Sequence, residues 1–344
     1  VACHCPAYIH KYNMVQDLVP GGTFLLNCSW DMAGLEEHLP GQVKRYIAEN
    51  DIKFYTIDGI KIGKEIGLGG RINTVLQSAF FALSNIIPAD KANELMKAAA
   101  KATYGKKGDK IVQMNYDAID AGAKHVVKIE VPESWKTAGE ESLTGAAVTG
   151  ARQDAVDFVN NIQKKINAQM GNTLPVSAFK DYVDGSTPSG TSAYEKRGVA
   201  VDVPVWDVNK CIQCNQCSYV CPHAAIRPVA MTEAEAAAAP EGMQYKDMTG
   251  MPGYKFAITI SAYDCTGCGS CVNVCPDKIQ AITMQNFEEN EAEQAYFDYG
   301  VSVPDKAEVI AKFKENTVKG SQFNSRCLSS QALVPDVVRH HMQN

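Results

Sequence analysis

The 344-residue sequence has no apolar run near the roughly 18 residues that a membrane-crossing helix requires. Its N-terminus lacks the basic, apolar and small-residue order of a secretory signal. There is no Lys/Arg block either. With 33 basic and 39 acidic side chains the formal net charge is −6, which argues against nucleic acid or an anionic membrane as the main partner. No Ser/His/Asp set and no spaced carboxylate pair stands out, so no catalytic residue is expected from this chain. These absences lead to the expectation of a soluble, cytoplasmic protein. At about 100 to 200 residues per domain it should hold two or three domains. The first residue is Val rather than Met and opens directly into an apolar stretch, as expected of a fragment.

Cysteine is what the sequence has in excess. Eight of its 12 Cys fall into two tight groups, a distribution that points to metal rather than to disulfides. Cys211, Cys214, Cys217 and Cys221-Pro222 form a C-x2-C-x2-C-x3-C-P run, and Cys265, Cys268, Cys271 and Cys275-Pro276 repeat it without a change of spacing. A [4Fe–4S] cluster needs four thiolates converging from different sides. In this spacing three come from one loop, while the fourth Cys of the run, placed at the start of a following helix, ligates the other cluster. One cluster is therefore expected on Cys211, Cys214, Cys217 and Cys275, and a second on Cys265, Cys268, Cys271 and Cys221. Zinc is the competing reading, but zinc sites use paired C-x2-C groups rather than four-Cys runs ending in Pro. Gly267, Gly269 and Ser270 suit close approach of backbone to sulfide, and Ile212, Val220, Ile226, Val272, Val274 and Ile279 are expected to exclude water. Such a pair of clusters is a one-electron relay, not a site of bond chemistry. Cys3-His4-Cys5 lacks metal-like spacing and reads as packing or loop, and Cys28 reads as a small core residue. His223 either donates to a cluster sulfur or sits in a solvated turn.

Upstream, strand-like and helix-like pieces alternate, the rhythm of an α/β layer on a parallel sheet. Thr23–Asn27 and Lys53–Ile57 read as strands, with a helix from Glu36 to Asn50 between them. Arg71–Asn85 reads as a helix with a wide buried face that includes Ile72, Val75, Leu76, Ala79, Phe80 and Leu83. Further helices are expected at 89–103, 109–125 and 151–169. Gly67-Leu68-Gly69-Gly70 precedes the Arg71 helix, as a tight turn or as an anion-binding approach to the helix N-terminus. Residues 171–206 have linker composition, rich in Gly, Ser, Thr and Pro.

These residues together resemble the pyruvate:ferredoxin (flavodoxin) oxidoreductase family over residues 1 to about 323. The marks are Ala2-Cys3-His4, Pro6-Ala7-Tyr8, Gly67 to Asn73, Tyr104-Gly105-Lys106-Lys107-Gly108, Leu174 to Phe179, Gly190-Thr191-Ser192, Glu195 to Ala200, the first Cys run and Lys319 to Phe323. The resemblance implies a gamma-like α/β parallel-sheet domain at 1–170 that contacts coenzyme A, with Arg71, Asn73, Lys61 and Gln77 as candidates. It implies an α+β ferredoxin-like domain with two [4Fe–4S] clusters at 207–290, carrying an insertion at 228–256, and a connection at 291–323. Family enzymes convert pyruvate and coenzyme A to acetyl-CoA and carbon dioxide, with electrons passing through three [4Fe–4S] clusters to ferredoxin or flavodoxin. A homodimer is implied for the full-length protein. Thiamine diphosphate, Mg and the third cluster belong to domains outside this sequence, so this chain alone should decarboxylate nothing. After Phe323 the family continues toward a Gly-Ala-Cys-x-Gly-Cys-Gly-Glu-Thr-Pro-Tyr run, and codons chosen for Gln331 to Gln343 spell such a run in a shifted frame. The tail 324–344, including Cys327, is therefore expected to be the product of a frameshift. The alternatives are a stand-alone two-cluster electron-transfer subunit and a remnant that assembles no clusters.

Overall fold

In a computed structural model of the chain, residues 1–139, 145, 147–150, 152–314 and 316–323 are described, and the expected frameshifted tail 324–344 lies outside them. The chain divides into two compact units, Val1–Ala146 with Lys165–Asn172 and the remainder.

In the first unit β1 (Ala2–Cys3), β2 (Thr23–Asn27) and β3 (Lys53–Ile57) lie parallel in that order, with Phe24 opposite Phe54 and Leu26 opposite Thr56. Both longer strands fall where their apolar runs place them. Alternation along β2 sends Phe24 and Leu26 to one face and Leu25 to the other. On the first face Phe24 stacks on Phe54 at 5.7 Å and Phe54 meets Trp135 at 6.2 Å. That face is covered by α1 (Met32–His38) and α2 (Gly41–Glu49), whose Leu35, Val43 and Ile47 are buried in the same cluster.

The single helix expected over 36–50 is thus two. Pro40 has no N–H to continue the ladder and pushes Leu39 into an extended conformation at φ −75°, ψ 128°. The opposite face carries α3 (Gly59–Ile66), α4 (Asn73–Ser84) and α6 (Asp109–Lys124), with α5 (Ala89–Tyr104) packed beside α6. Phe80, expected in the buried stripe of α4, is 41 % exposed, with its ring edge-to-face with that of Phe81. A further departure from an all-parallel sheet is β4 (Val127–Lys128), which pairs antiparallel with β3. Asn27, buried at the end of β2, donates to the His4 carbonyl at 2.9 Å and accepts from the Gly59 N–H at 2.8 Å. It ties β1 to the start of α3.

A helical run follows, from α7 (Gln153–Phe158) through a π turn at Val159–Gln163 to α8 (Lys164–Asn167). In the second unit the Cys runs sit in a repeated layout of strand, Cys loop, short helix and strand. The first copy is β5 (Asp202–Trp206), the 211–221 loop with α9 (Gln216–Tyr219), and β6 (Ile226–Thr232). After α10 (Glu233–Ala237) and β7 (Lys246–Asp247), the second copy runs through β8 (Tyr254–Ile260), the 265–275 loop with α11 (Ser270–Val274), and β9 (Ile282–Asn286). Antiparallel β5 and β9 pair along their whole length, and β6, β8 and β7 make a three-stranded antiparallel sheet in that order.

Two boundaries move accordingly. The stretch 171–206 is not linker throughout, because 202–206 is a paired strand. The segment expected as an insertion at 228–256 is partly sheet, since β6 extends to Thr232 and β8 begins at Tyr254. The unit continues with α12 (Glu293–Ser302), α13 (Ala307–Lys312) and α14 (Val318–Ser321). Among the described residues no helix is long and apolar enough to cross a membrane.

The crossing of α4 and α6 depends on Gly122, where an added Cβ would stand 2.2 Å from the Val75 carbonyl oxygen. Ala is the better helix former by about 1 kcal/mol, yet overpacking a close crossing costs about 1 to 3 kcal/mol. Gly122→Ala should therefore lower stability, measured as a reduced urea midpoint, and an unchanged or raised midpoint would contradict this packing.

Candidate metal centres and ligand cleft

The eight grouped cysteines line two separate cavities. Cys211, Cys214, Cys217 and Cys275 line one, closed by Trp206, Ile258 and Ile282. Cys265, Cys268, Cys271 and Cys221 line the other, with Pro204, Ile226 and Met284. Each cavity thus takes three thiols from one run and the fourth from the other. The short helices precede the fourth Cys of each run rather than following it, contrary to expectation. Among the described residues no three His, Cys, Asp or Glu side chains are placed to close on a single metal ion. Ile226 is buried, whereas Ile212, expected to exclude water, is 52 % exposed.

The two loops share a backbone design. Residues two and four after the first Cys are left-handed in both, Gln213 (φ 59°) and Asn215 (φ 60°) in one, Gly267 (φ 69°) and Gly269 (φ 74°) in the other. These reversals turn N–H groups inward, and Gln213 and Gly267 each donate to the sulfur of Cys211 and Cys265 at 3.3 Å. The fourth cysteines are served the same way. Left-handed Ala224 and Gln280 are each followed by an N–H, of Ala225 and Ala281, that donates to Cys221 and Cys275 at 3.3 Å. Hydrogen bonds to sulfur stabilise its negative form and are one of the terms that set cluster potentials.

The loops differ in what holds them. In the first, a left-handed Gln is tolerated because its buried amide is fixed at both ends, donating to the Asp247 carbonyl at 2.7 Å and accepting from the Thr249 N–H at 2.8 Å. Asn215 donates to the Lys319 carbonyl at 3.1 Å, and the Lys319 ammonium lies over the Phe313 ring at 4.4 Å. Partial burial lowers the pKa of Lys319, while the nearby Cys214 and Cys211 act in the opposite sense. In the second loop Gly267 takes the left-handed conformation without strain, and an added Cβ would crowd the Asp202 carbonyl oxygen at 3.2 Å. Asp264, just before Cys265, pairs with Lys196 and accepts from the Ser261 hydroxyl at 2.6 Å.

Burial dominates at three of the thiols. It pushes Cys217 and Cys265 up and Cys271 up to about 11, with neighbouring cysteines adding to the rise in each case. Cys268 is held below the ordinary thiol range by its hydrogen bond with Ser270. Thiolates at Cys217, Cys265 and Cys271 are costly unless a metal compensates them, so metal uptake there must release protons.

The first unit holds a cleft of ≈ 670 Å³ lined by the Gly67–Gly70 turn and by His4, Arg71, Asn73, Tyr104, Lys107 and Asn115. Gly67 itself is the left-handed cap that ends α3. Among the described residues no side chain caps the N-terminus of α4 and no carboxylate lines the cleft. An unfilled helix N-terminus beside Arg71 and Lys107 favours an anion. Arg71 and Asn73 are therefore brought together, while the other two coenzyme A candidates, Lys61 and Gln77, are exposed and outside the lining. His223 is exposed at the edge of the second thiol cavity.

Comparison with known proteins gives these features a context. Residues 1–125 match the family described as pyruvate ferredoxin/flavodoxin oxidoreductase, 147–200 match the EKR domain of unknown function, and 210–279 match the 4Fe-4S dicluster domain. The chain thus carries segments similar to that oxidoreductase family and to 4Fe-4S dicluster domains. It is 48 % identical to the pyruvate-flavodoxin oxidoreductase of Enterobacter agglomerans over 95 % of its length, and 46 % identical to the pyruvate:ferredoxin oxidoreductase of Moorella thermoacetica over 95 %. A pyruvate dehydrogenase [NADP(+)] of Cryptosporidium parvum is 43 % identical over 96 % of this chain. The chain spans 27 % of each of the first two relatives and 18 % of the third.

The residues that sequence reasoning missed in the first unit are His4, Tyr104 and Lys107. Tyr104 and Lys107 belong to a motif noticed only as a mark of resemblance, and His4 was read as part of a loop. In the second unit Gln213, Lys246 and Lys196 were missed, since they reach the Cys loops from elsewhere in the chain or through side-chain contacts that spacing does not reveal.

The two left-handed glycines make a paired prediction. Gly267→Ala should destabilise by about 1 to 3 kcal/mol, from αL strain plus crowding. Gly269→Asn should stay within about 1 kcal/mol, since nothing lies within 4 Å of its Cβ position and Asn tolerates that conformation. Equal midpoints for the two variants in denaturant unfolding would contradict the assigned geometry.

Proposed function

We propose that this chain is the electron-transfer and coenzyme A-binding portion of a pyruvate oxidoreductase, with two [4Fe–4S] clusters in a ferredoxin-like α+β unit. The observation that carries this reading is the crossing of thiols, each cavity being lined by three cysteines of one run and the fourth of the other. Cys211, Cys214, Cys217 and Cys275 would hold one cluster, and Cys265, Cys268, Cys271 and Cys221 the other. The donor set fits, since thiolate is the ligand iron–sulfur clusters take and each cavity offers four with backbone N–H groups directed at sulfur. Clusters of this kind supply one-electron donors and acceptors. The chain's residues fix the sulfurs, exclude water through Trp206, Ile226 and Ile282, and set the local charge.

The cleft of the oxidoreductase domain supports the second half of the reading. Arg71 can grip a phosphate with paired donors, Lys107 adds a second cation, and Asn73 opens α4. Coenzyme A carries phosphates, and its binding here would leave its thiol to be used by the rest of the enzyme. Thiamine diphosphate, Mg and a third cluster would be supplied by that remainder, and ferredoxin or flavodoxin would take the electrons.

Two experiments test the halves separately. Anaerobic assembly should give about eight irons per chain. Cys275→Ser should then alter the same paramagnetic signal as Cys211→Ser, and Cys221→Ser the same signal as Cys265→Ser. Signals that group by run instead would overturn the crossed assignment. For the cleft, Arg71→Ala should weaken coenzyme A binding by about 10- to 100-fold, the weight of a charge-assisted phosphate contact, while Lys61→Ala leaves it unchanged. Calorimetric titration decides, and equal effects of the two substitutions would remove the ligand from this cleft.

A further inference from the structure

The segment between β6 and β8 grips the first Cys loop at two points. One is the Gln213 amide, fixed by the backbone of 247–249. The other is Lys246 on β7, whose ammonium donates to the carbonyls of Val208 at 2.8 Å and Cys211 at 3.1 Å. Both acceptors are neutral. The adjacent carboxylates are engaged elsewhere, Asp247 with Lys255 at 2.7 Å and Asp207 with Lys210 at 3.2 Å, and among the described residues none forms an ion pair with Lys246. The second loop is built differently, because Lys196 there is neutralised by Asp264 beside Cys265. Among the described residues Lys246, and with it Lys319 near Cys214 and Cys211, thus bear on one thiol cavity without an ion-pair partner, and a closed ion pair bears on the other.

We propose that Lys246 raises the reduction potential of the cluster held by Cys211, Cys214, Cys217 and Cys275, making it the easier of the two to reduce. This rests on the two-cluster reading above. Reduction adds one negative charge to the cluster, so a fixed neighbouring cation stabilises the reduced form more than the oxidised one. With both clusters bound, Cys265, Cys268, Cys271 and Cys221 would hold the one that gives up an electron, and Cys211, Cys214, Cys217 and Cys275, beside Lys246, the one that accepts it. Lys246 touches no reacting atom and acts through its field on the loop it holds. The segment between the two Cys runs thereby gives the relay its direction.

The test is a redox titration of the full chain, assembled anaerobically with iron and sulfide, followed by electron paramagnetic resonance with iron counted per chain. Lys246→Gln keeps a donor for the carbonyls but removes the charge. It should lower the potential of one signal by about tenfold or more in the reduction equilibrium, ~59 mV for one electron, and leave the other in place. Lys246→Arg should preserve both. Asp264→Asn should raise the signal that Lys246→Gln leaves alone, which assigns the two. Unchanged potentials in Lys246→Gln with iron retained, or a shift of the signal that Asp264→Asn moves, would overturn the proposal. So would loss of iron from both Lys246→Gln and Lys246→Met with retention in Lys246→Arg, which would make Lys246 a clamp for assembly. Unaltered chain that holds fewer than about eight irons would instead overturn the two-cluster reading, before any variant is compared.

Discussion

Bringing four sulfurs to one cavity is the constraint on which the second unit depends. No helix or strand can do it, since each spaces its side chains along an axis. The chain meets it with loops that reverse backbone handedness twice within a few residues, so that thiols and N–H groups point inward together. Such reversals are strained for any residue but Gly, and the strain has to be offset by surrounding structure. Gly267 and Gly269 avoid it. Gln213 is held by the backbone of 247–249 and Asn215 by the Lys319 carbonyl, so the surroundings of the first loop are part of how that loop keeps its shape.

The first unit answers a different demand with similar economy. A short parallel sheet must be covered on both faces, and β2 and β3 divide their side chains between an aromatic layer and a helical layer. Asn27 satisfies its buried amide between β1 and α3, which brings His4 toward the same region as the Gly67 turn and Arg71. The cleft is thus a product of sheet order: it opens where the chain leaves one layer for the other.

Legibility in the sequence followed the range of the forces involved. The strands at 23–27 and 53–57 could be read because an apolar run bounded by turn residues encodes a buried strand locally. The thiol spacing could be read because the loop itself makes three of the four contacts. The break at Pro40 was equally local and was overlooked in favour of apolar periodicity. Other features had no local signal. A strand at 202–206 exists because β9 lies alongside it, in a stretch whose composition says linker. Lys246, Gln213 and Lys196 look like ordinary polar residues until folding sets them against a carbonyl, a turn or a carboxylate. Lys61 and Gln77 were plausible by distance along the chain from the Gly turn, but helix geometry turns them to solvent.

The pairing of β5 with β9 has a consequence for how this unit relates to any longer polypeptide. The first and last strands of the thiol-bearing repeat are hydrogen-bonded neighbours, Asp202 opposite Asn286. The polypeptide enters and leaves side by side, like a cord through one gate. A module with adjoining ends can be spliced into a host, or permuted by joining those ends, without stretching what lies on either side. The same closure means that pulling the flanking chain apart would load this one two-stranded ribbon first, ahead of the loops that carry the sulfurs.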